Sequence, residues 1–271
     1  MSGCVGVFLR ANIPQIHTIL HTLSQTLSPK ELVFEDCNPY GFGGESLIHI
    51  EKKCDFLISL GGDGTLISTL GKIHSLPILG INAGRLGFLT GIGTTEIESF
   101  IPRIQKNDYK IERHAMLSLY LDDCFISHCL NEVVISKKSL PTMTQIEARI
   151  DGRPLNHYRC DGLIVSTPTG STAYNISAGG SVVYPYCKNI LLTPLAPHSL
   201  TQRAMVVSDG VKLEFEVLED SKIIVDGQRE FSFTPNQILR VCFEEQYAQL
   251  IYPNERDYFE VLREKFHWGE Q

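Results

Sequence analysis

Residues Asp55-Phe56-Leu57-Ile58-Ser59-Leu60 make a short, mostly apolar run, and Gly61-Gly62-Asp63-Gly64-Thr65 follows it directly. Leu66-Ile67-Ser68-Thr69-Leu70 then opens a helical pattern. A strand, a glycine-rich turn and a helix in that order constrain the chain to an α/β sheet, whose ligands collect outside the carboxyl ends of the strands. Glycines let a phosphate approach the backbone, and N–H groups at a helix N-terminus favour negative charge. Asp63 opposes the anion that the glycines invite. The conflict is relieved if a divalent cation stands between carboxylate and phosphate, or if the aspartate meets a hydroxyl. An isolated Asp-Gly is a common turn dipeptide. The two preceding glycines, the strand and the helix favour a functional turn.

Around this feature the first hundred residues alternate strand and helix. Val5 to Leu9 reads as a strand rather than a signal peptide, because no basic segment precedes it. Ile13 to Leu27 carries a helical stripe at Ile16, Ile19, Leu20, Leu23 and Leu27. Leu32-Val33-Phe34, Cys54 to Leu60 and Pro77 to Ile81 read as further strands. Beyond residue 110 the period changes to two. Leu117 to Leu121 and Cys124 to His128 flank Asp122-Asp123, and Gln145 to Ile150 leads into Asp151-Gly152. Val211 to Val217 alternates cleanly, Ile223 to Val225 precedes Asp226-Gly227, and Phe231-Ser232-Phe233 follows. Leu239 to Phe243 and Ala248 to Ile251 read as two strands around Glu244-Glu245-Gln246. Lys138 to Thr142 is a loop by composition, and Asp257 to Phe266 has apolar residues at helical spacing. The expected architecture is an open Rossmann-like α/β domain over residues 1–105, a β-sandwich domain over 106–255, and a tail helix over 256–271 that packs back.

One stretch of the second domain breaks the alternation. The strand Leu163 to Thr167 runs into Pro168-Thr169-Gly170-Ser171 and then Thr172 to Gly180. Ser171 is a candidate N-cap and Gly179 or Gly180 a candidate C-cap. The segment is a hydroxyl-rich turn that offers several donors, with Arg159 and Asp161 just upstream; a capped helix at one end of the sandwich is the plainer reading. Asn131-Glu132 stands at the mouth of the strand Val133-Val134-Ile135. A glutamate can accept two bonds from a vicinal diol, and an asparagine can serve a base edge as donor and acceptor. Asn82-Ala83-Gly84-Arg85-Leu86-Gly87 leaves the sheet on the same edge as Asp63, and Arg85 is a candidate phosphate partner.

Bulk properties limit the ligand. Net charge is −7, so no global basic field draws nucleic acid, and nucleotide phosphates must be held locally. No apolar run approaches the ~18 residues of a spanning helix, which speaks against a membrane partner. The eight cysteines show no CxxC pair and no zinc pattern; they read as scattered thiols of a reducing, cytoplasmic compartment, and no protein-held metal is expected.

Taken together, these motifs resemble the NAD kinase family. The resemblance rests on Gly61 to Thr65, Asn82 to Leu89, Asn131-Glu132, Asp161-Gly162 through Thr167-Pro168-Thr169-Gly170-Ser171-Thr172-Ala173-Tyr174, and Ala196 to Leu200 with Arg203. It runs from about residue 55 to residue 230. The resemblance implies an α/β domain and a β-sandwich with NAD between them. It implies transfer of the γ-phosphate of ATP, in some members of polyphosphate, to the 2′-hydroxyl of the adenosine ribose of NAD. It implies Mg²⁺ carried by ATP, and a homodimer or homotetramer. By motif position Asp63 is the proton acceptor. Gly62, Asp63, Gly64, Arg85, Phe88, Asn131, Glu132, Arg159, Asp161, Thr169, Thr172, Ala173, Tyr174, Asn175, Ile176, Ser177 and Gln228 match cofactor-binding positions, with Glu132 on a hydroxyl and Asn131 with Thr172 on the adenine. Relatives often carry a basic residue where this chain has Ser68; Arg85 or Lys72 would substitute. A lipid kinase of the diacylglycerol or sphingoid type shares the GGDGT turn but has no use for Asn131-Glu132. A non-catalytic NAD(P)-binding regulator is a second alternative, for which loss of Asp63 would be the simplest signature.

Overall fold

The computed structural model describes residues 3–84, 87–138 and 143–268. They form two compact units, one of residues 1–113 with 248–271 and one of residues 114–247.

The first unit opens with β1 (Cys4–Leu9), α1 (Ile16–Leu27), β2 (Glu31–Glu35), β3 (Gly44–Glu45), α2 (Leu47–Lys53), β4 (Cys54–Gly61), α3 (Asp63–Lys72), β5 (Ile78–Asn82), β6 (Ile92–Gly93) and α4 (Ile97–Gln105). All its strand pairs are parallel, in the order β3-β2-β1-β4-β5 with β6 beside β5. Side chains alternate along a strand, so each strand feeds two layers. Val5, Val7 and Leu9 of β1 join Phe56, Ile58 and Leu60 of β4 in a core with Leu20, Leu23 and Leu27 of α1 and Phe100, Ile101 and Ile104 of α4. The opposite face meets α2 and α3: Ile50 lies against Gly6, and Leu66 against Gly80. Burial on both faces is why β4 reads as a nearly continuous apolar run. Helix α1 begins with its apolar stripe at Ile16, three residues after the Ile13 start of the segment read from the sequence, since Pro14 and a left-handed Gln15 (φ 54°) occupy the turn before it.

The second unit is an antiparallel sandwich. Its elements are β7 (Lys110–Leu121), β8 (Cys124–Cys129), β9 (Glu132–Lys137), β10 (Thr144–Ile150), β11 (Arg153–Cys160), β12 (Gly162–Ser166), α5 (Tyr174–Ser177), β13 (Asn189–Leu195), β14 (Met205–Ser208), β15 (Leu213–Val217), β16 (Ser221–Val225), β17 (Arg229–Phe233) and β18 (Leu239–Tyr252). One sheet runs β14-β13-β12-β9-β16-β17; the other contains β11-β10-β15-β18 with β7 and β8. Leu163, Val165, Ile223 and Phe233 of the first sheet meet Ile146, Tyr158, Phe215 and Val241 of the second. The expected turns at aspartates are present, with positive φ at Asp122, Asp123, Asp151 and Asp226.

Three expectations change. Leu239 to Phe243 and Ala248 to Ile251 are not two strands but the single fourteen-residue β18. Glu244-Glu245-Gln246 is polar and lacks the Gly, Pro, Asn or Asp that a reversal requires, so the strand continues. Its last residues return to the first unit, where Leu250 pairs in parallel with Ile78. Residues 248–255, placed with the sandwich from the sequence, thus belong to the α/β unit together with α6 (Tyr258–Phe266). The Asp257 side chain caps α6 by accepting from the Phe259 N–H at 3.1 Å. The capped helix over Thr172 to Gly180 is also replaced. Thr169–Thr172 is a 3₁₀ turn and α5 is four residues long. Ser171 is not an N-cap, because its Oγ reaches across to Val183, donating to the carbonyl and accepting from the N–H at 3.0 Å each.

Phe215 is fully buried in the sandwich core, whereas Leu218, just beyond the end of β15, is half exposed. Phe215→Ala is expected to cost about 3–5 kcal/mol and Leu218→Ala no more than about 0.5 kcal/mol, read as shifts in urea midpoint by circular dichroism.

Candidate active site

In the first unit, chain order reverses between β1 and β4, which makes their carboxyl ends the switch point of the sheet. GGDGT lies there. Asp63 is the first residue of α3, and its carboxylate is already engaged. Oδ2 accepts from Phe88 N–H at 2.7 Å, and Oδ1 accepts from the N–H groups of Leu89 and Thr90 at 3.1 Å each. The sequence posed an anion where an anion should bind; the structure answers that Asp63 itself fills a cradle of backbone donors. Gly87 makes this possible, because a Cβ there would stand 1.9 Å from Asp63 Oδ1. The cradle is held from the other side as well. Tyr252 Oη donates to the Leu89 carbonyl at 3.0 Å, the Arg256 guanidinium donates to the Phe88 carbonyl, and the Phe88 ring packs on Phe266 at 5.5 Å.

Gly62 and Gly64 face open space. Arg85 lies outside the described residues. Lys72 is not the missing cation: it ends α3, a ten-residue helix away from Asp63, and pairs with Glu35 at 2.6 Å. A basic residue that sequence reasoning passed over stands beside the GGDGT turn. Arg10 is exposed at the end of β1, its N–H donates to the Leu60 carbonyl at 3.0 Å, and its Cβ would lie 3.0 Å from a Cβ at Gly61. Strand pairing was the only signal that could have found it.

In the second unit, Glu132, Asp161, Tyr174 and Ser177 line one cavity of about 790 Å³, together with Lys137 and Gly227. Antiparallel pairing of β9 with β12 sets Glu132 opposite Ser166. The adjoining 3₁₀ turn is locked to β9: the Asn131 carbonyl accepts from Thr167 N–H at 2.9 Å and Ser166 Oγ at 3.1 Å, and a Cβ on Gly170 would come within 2.1 Å of it. Asn131, Thr172, Ala173 and Ile176 flank the cavity in sequence and are partly exposed, while Arg159 and Gln228 are exposed. Two expected contacts are differently employed. The buried Asn175 amide spends its side chain internally, donating to the Ser171 and Ser181 carbonyls at 3.1 and 3.0 Å and accepting from Thr193 Oγ1 at 2.7 Å. Thr169 Oγ1 is buried against His114 Nδ1 at 2.9 Å.

The electrostatics of the cavity centre on Glu132. It is 6% exposed, and its Oε2 is buried without a hydrogen-bond partner. Burial first, and then the charge of Asp226, push its carboxyl up to about 7, against the opposing effect of the Tyr174 backbone N–H. Asp161 is paired with Lys137 at 2.6 Å. Among the described residues no group of three or more His, Cys, Asp or Glu stands close enough to hold a metal, and no helix is long and apolar enough to cross a membrane.

Comparison with known proteins places these two halves in context. Residues 43–109 match the family model of the ATP-NAD kinase N-terminal domain, and residues 130–252 that of the ATP-NAD kinase C-terminal domain. The chain is 43% identical to the NAD kinase of Helicobacter hepaticus and 41% identical to that of Wolinella succinogenes, in each case over 98% of this chain and 96% of the relative. An NAD kinase from Archaeoglobus fulgidus, solved in complex with ATP, superposes with a TM-score of 0.79 at 29% identity, over 96% of this chain and 97% of that one. Yeast NADH kinase complexed with NADH shares the fold, with a TM-score of 0.89 at 20% identity over 99% of this chain and 88% of the yeast chain. With both family models and near full-length relatives in agreement, the chain belongs to the NAD kinase family.

Proposed function

We infer that the protein transfers the γ-phosphate of ATP to the 2′-hydroxyl of the adenosine ribose of NAD, forming NADP. The observation that carries this reading is the fixed Asp63 carboxylate at the switch point of the α/β sheet. Oδ1 accepts two N–H bonds and Oδ2 only one, so Oδ2 is the oxygen left to take the hydroxyl proton. Phosphoryl transfer passes through a loose transition state and depends mainly on positioning and charge. The hydroxyl therefore keeps its proton until late, and a carboxylate in hydrogen-bond reach suffices. Arg10 is the cation offered to the phosphates, in place of the basic residue absent at Ser68. A divalent cation such as Mg²⁺ arrives on ATP, where it neutralises charge on the phosphate oxygens. Glu132, Asp161, Tyr174 and Ser177, with Asn131, Thr172, Ala173, Ile176, Arg159 and Gln228 nearby, hold NAD.

Eight free cysteines support a reducing, cytoplasmic setting. Exposed apolar residues Tyr184, Tyr186, Leu200, Met205 and Val206, on and before the edge strand β14, support a homo-oligomer. A lipid kinase has no need of a polar cavity built on Glu132 and Asp161.

The decisive assay follows NADP formation from NAD with ATP and Mg²⁺, then with polyphosphate, then with NADH as acceptor; turnover with NAD and ATP is expected, and its absence despite NAD binding would leave a regulator. Asp63→Asn is expected to lower kcat by about 10²–10⁴ while NAD affinity measured by calorimetry is largely kept; near-normal turnover would remove Asp63 as the base. Gly87→Ala keeps the Asp63 side chain but would force its carboxylate out of the cradle, and is expected to lower kcat as well, with the fold intact by circular dichroism.

A further inference from the structure

The Asp226-Gly227 turn between β16 and β17 looks from sequence like ordinary hairpin chemistry. Asp226 and Gly227 have φ of 52° and 65°, as a tight two-residue turn requires. The side chain of such a turn residue normally faces water, yet that of Asp226 is 3% exposed. It reaches back over the approach to β9. Its carboxylate accepts from Asn131 N–H at 2.7 Å, Leu130 N–H at 3.1 Å, Cys129 Sγ at 3.3 Å and Arg229 Nη2 at 3.4 Å. Its own N–H donates to the Glu132 carbonyl at 2.9 Å, and Arg229 Nη2 also donates to the His128 carbonyl at 2.9 Å. The whole path from His128 to Glu132 is thus strung onto one hairpin tip.

We propose that Asp226 is a positioning residue that acts through Glu132: it fixes the Asn131-Glu132 step and sets that carboxyl as a hydrogen-bond donor to the bound dinucleotide. This rests on the NAD-binding role proposed for the cavity. The Asp226 carboxyl accepts from four donors, whereas Glu132 Oε2, at the wall of the cavity, has no hydrogen-bond partner. A buried carboxyl beside another carboxylate favours its neutral form, the more so where it has fewer donors. The other ionisable groups here do not reverse this order. Arg229 is committed to Asp226 and the His128 carbonyl, Lys137 is paired with Asp161, and the Cys129 thiol is pushed well up by burial and stays neutral. The raised Glu132 carboxyl agrees with this assignment. Sequence reasoning cast Glu132 as a twofold acceptor for a diol; near neutral pH it instead offers a proton to a ribose or base acceptor.

The sign of the pH dependence follows. Glu132 loses its donor proton as pH rises through about 7, so NAD affinity falls on the alkaline side. The test is calorimetric titration of the full chain with NAD between pH 5.5 and 8.5, with kcat and KM measured alongside. For the wild type, Kd and KM for NAD are expected to rise several-fold across pH 7 while kcat changes little. Asp226→Asn keeps the turn, since Asn-Gly suits it well, and is expected to move the break to lower pH. Glu132→Gln keeps a neutral donor and is expected to flatten the profile. An Asp226→Asn protein that binds more weakly with an unmoved break, or a Glu132→Gln protein with the wild-type profile, would overturn the proposal. Absence of turnover with intact NAD binding would instead count against the kinase reading, and the binding profiles would still decide the role of Asp226.

Discussion

A carboxylate answered by backbone N–H groups is the interaction on which the rest of this structure depends. Asp63 sits at the start of α3 and accepts from three consecutive amides of the segment that follows β5. Those amides would otherwise point at the switch point unpaired, at the cost of buried or half-buried polar groups without partners. Instead, one side chain organises the loop, and Tyr252 and Arg256 secure its carbonyl side. A glycine at position 87 is the steric condition for the arrangement. The residue assigned to proton transfer is therefore also the residue that shapes its own surroundings.

The second unit uses the same device with a different outcome. Asp226 gathers amides from the chain entering β9. Where Asp63 organises a loop, Asp226 is buried beside Glu132 and pushes that carboxyl toward its neutral form. In both cases a short acidic side chain next to a glycine satisfies backbone donors that no strand or helix could reach. Ion pairs at the surface, such as Arg103 with Glu255 and Asp108, contribute far less to this organisation, because solvent screens them.

Much of this was legible in the residues. The change of period from 3.6 and buried strands to strict alternation separates the α/β region from the sandwich, and the tight turns fall where Asp122-Asp123, Asp151-Gly152 and Asp226-Gly227 stand. Glu132, Asp161, Tyr174 and Ser177 do meet in one cavity. What was not legible follows from tertiary pairing. Arg10 reaches the switch point because β1 lies beside β4, a fact no local pattern carries. Asn175 and Thr169 sit in a polar segment that reads as ligand-facing, yet their side chains brace the segment internally. The helix α4 was marked by Ile97, Phe100, Ile101 and Ile104 at helical spacing, but Pro102 within it obscured the pattern. The strand β18 hid behind three polar residues that solvate its middle.

That strand has a consequence for how the protein is made. Leu250 pairs with Ile78, 172 positions earlier, so β5 gains this neighbour only when nearly the entire chain has left the ribosome. Such a long-range pairing is slow to find, since the loop entropy must be paid before the contact forms. Until then the carbonyls of Phe88 and Leu89 lack Arg256 and Tyr252. The last 24 residues, 248–271, act as the closing stitch of the α/β unit. A chain truncated before β18 would carry every motif of the nucleotide site, and still leave the loop that surrounds Asp63 half secured.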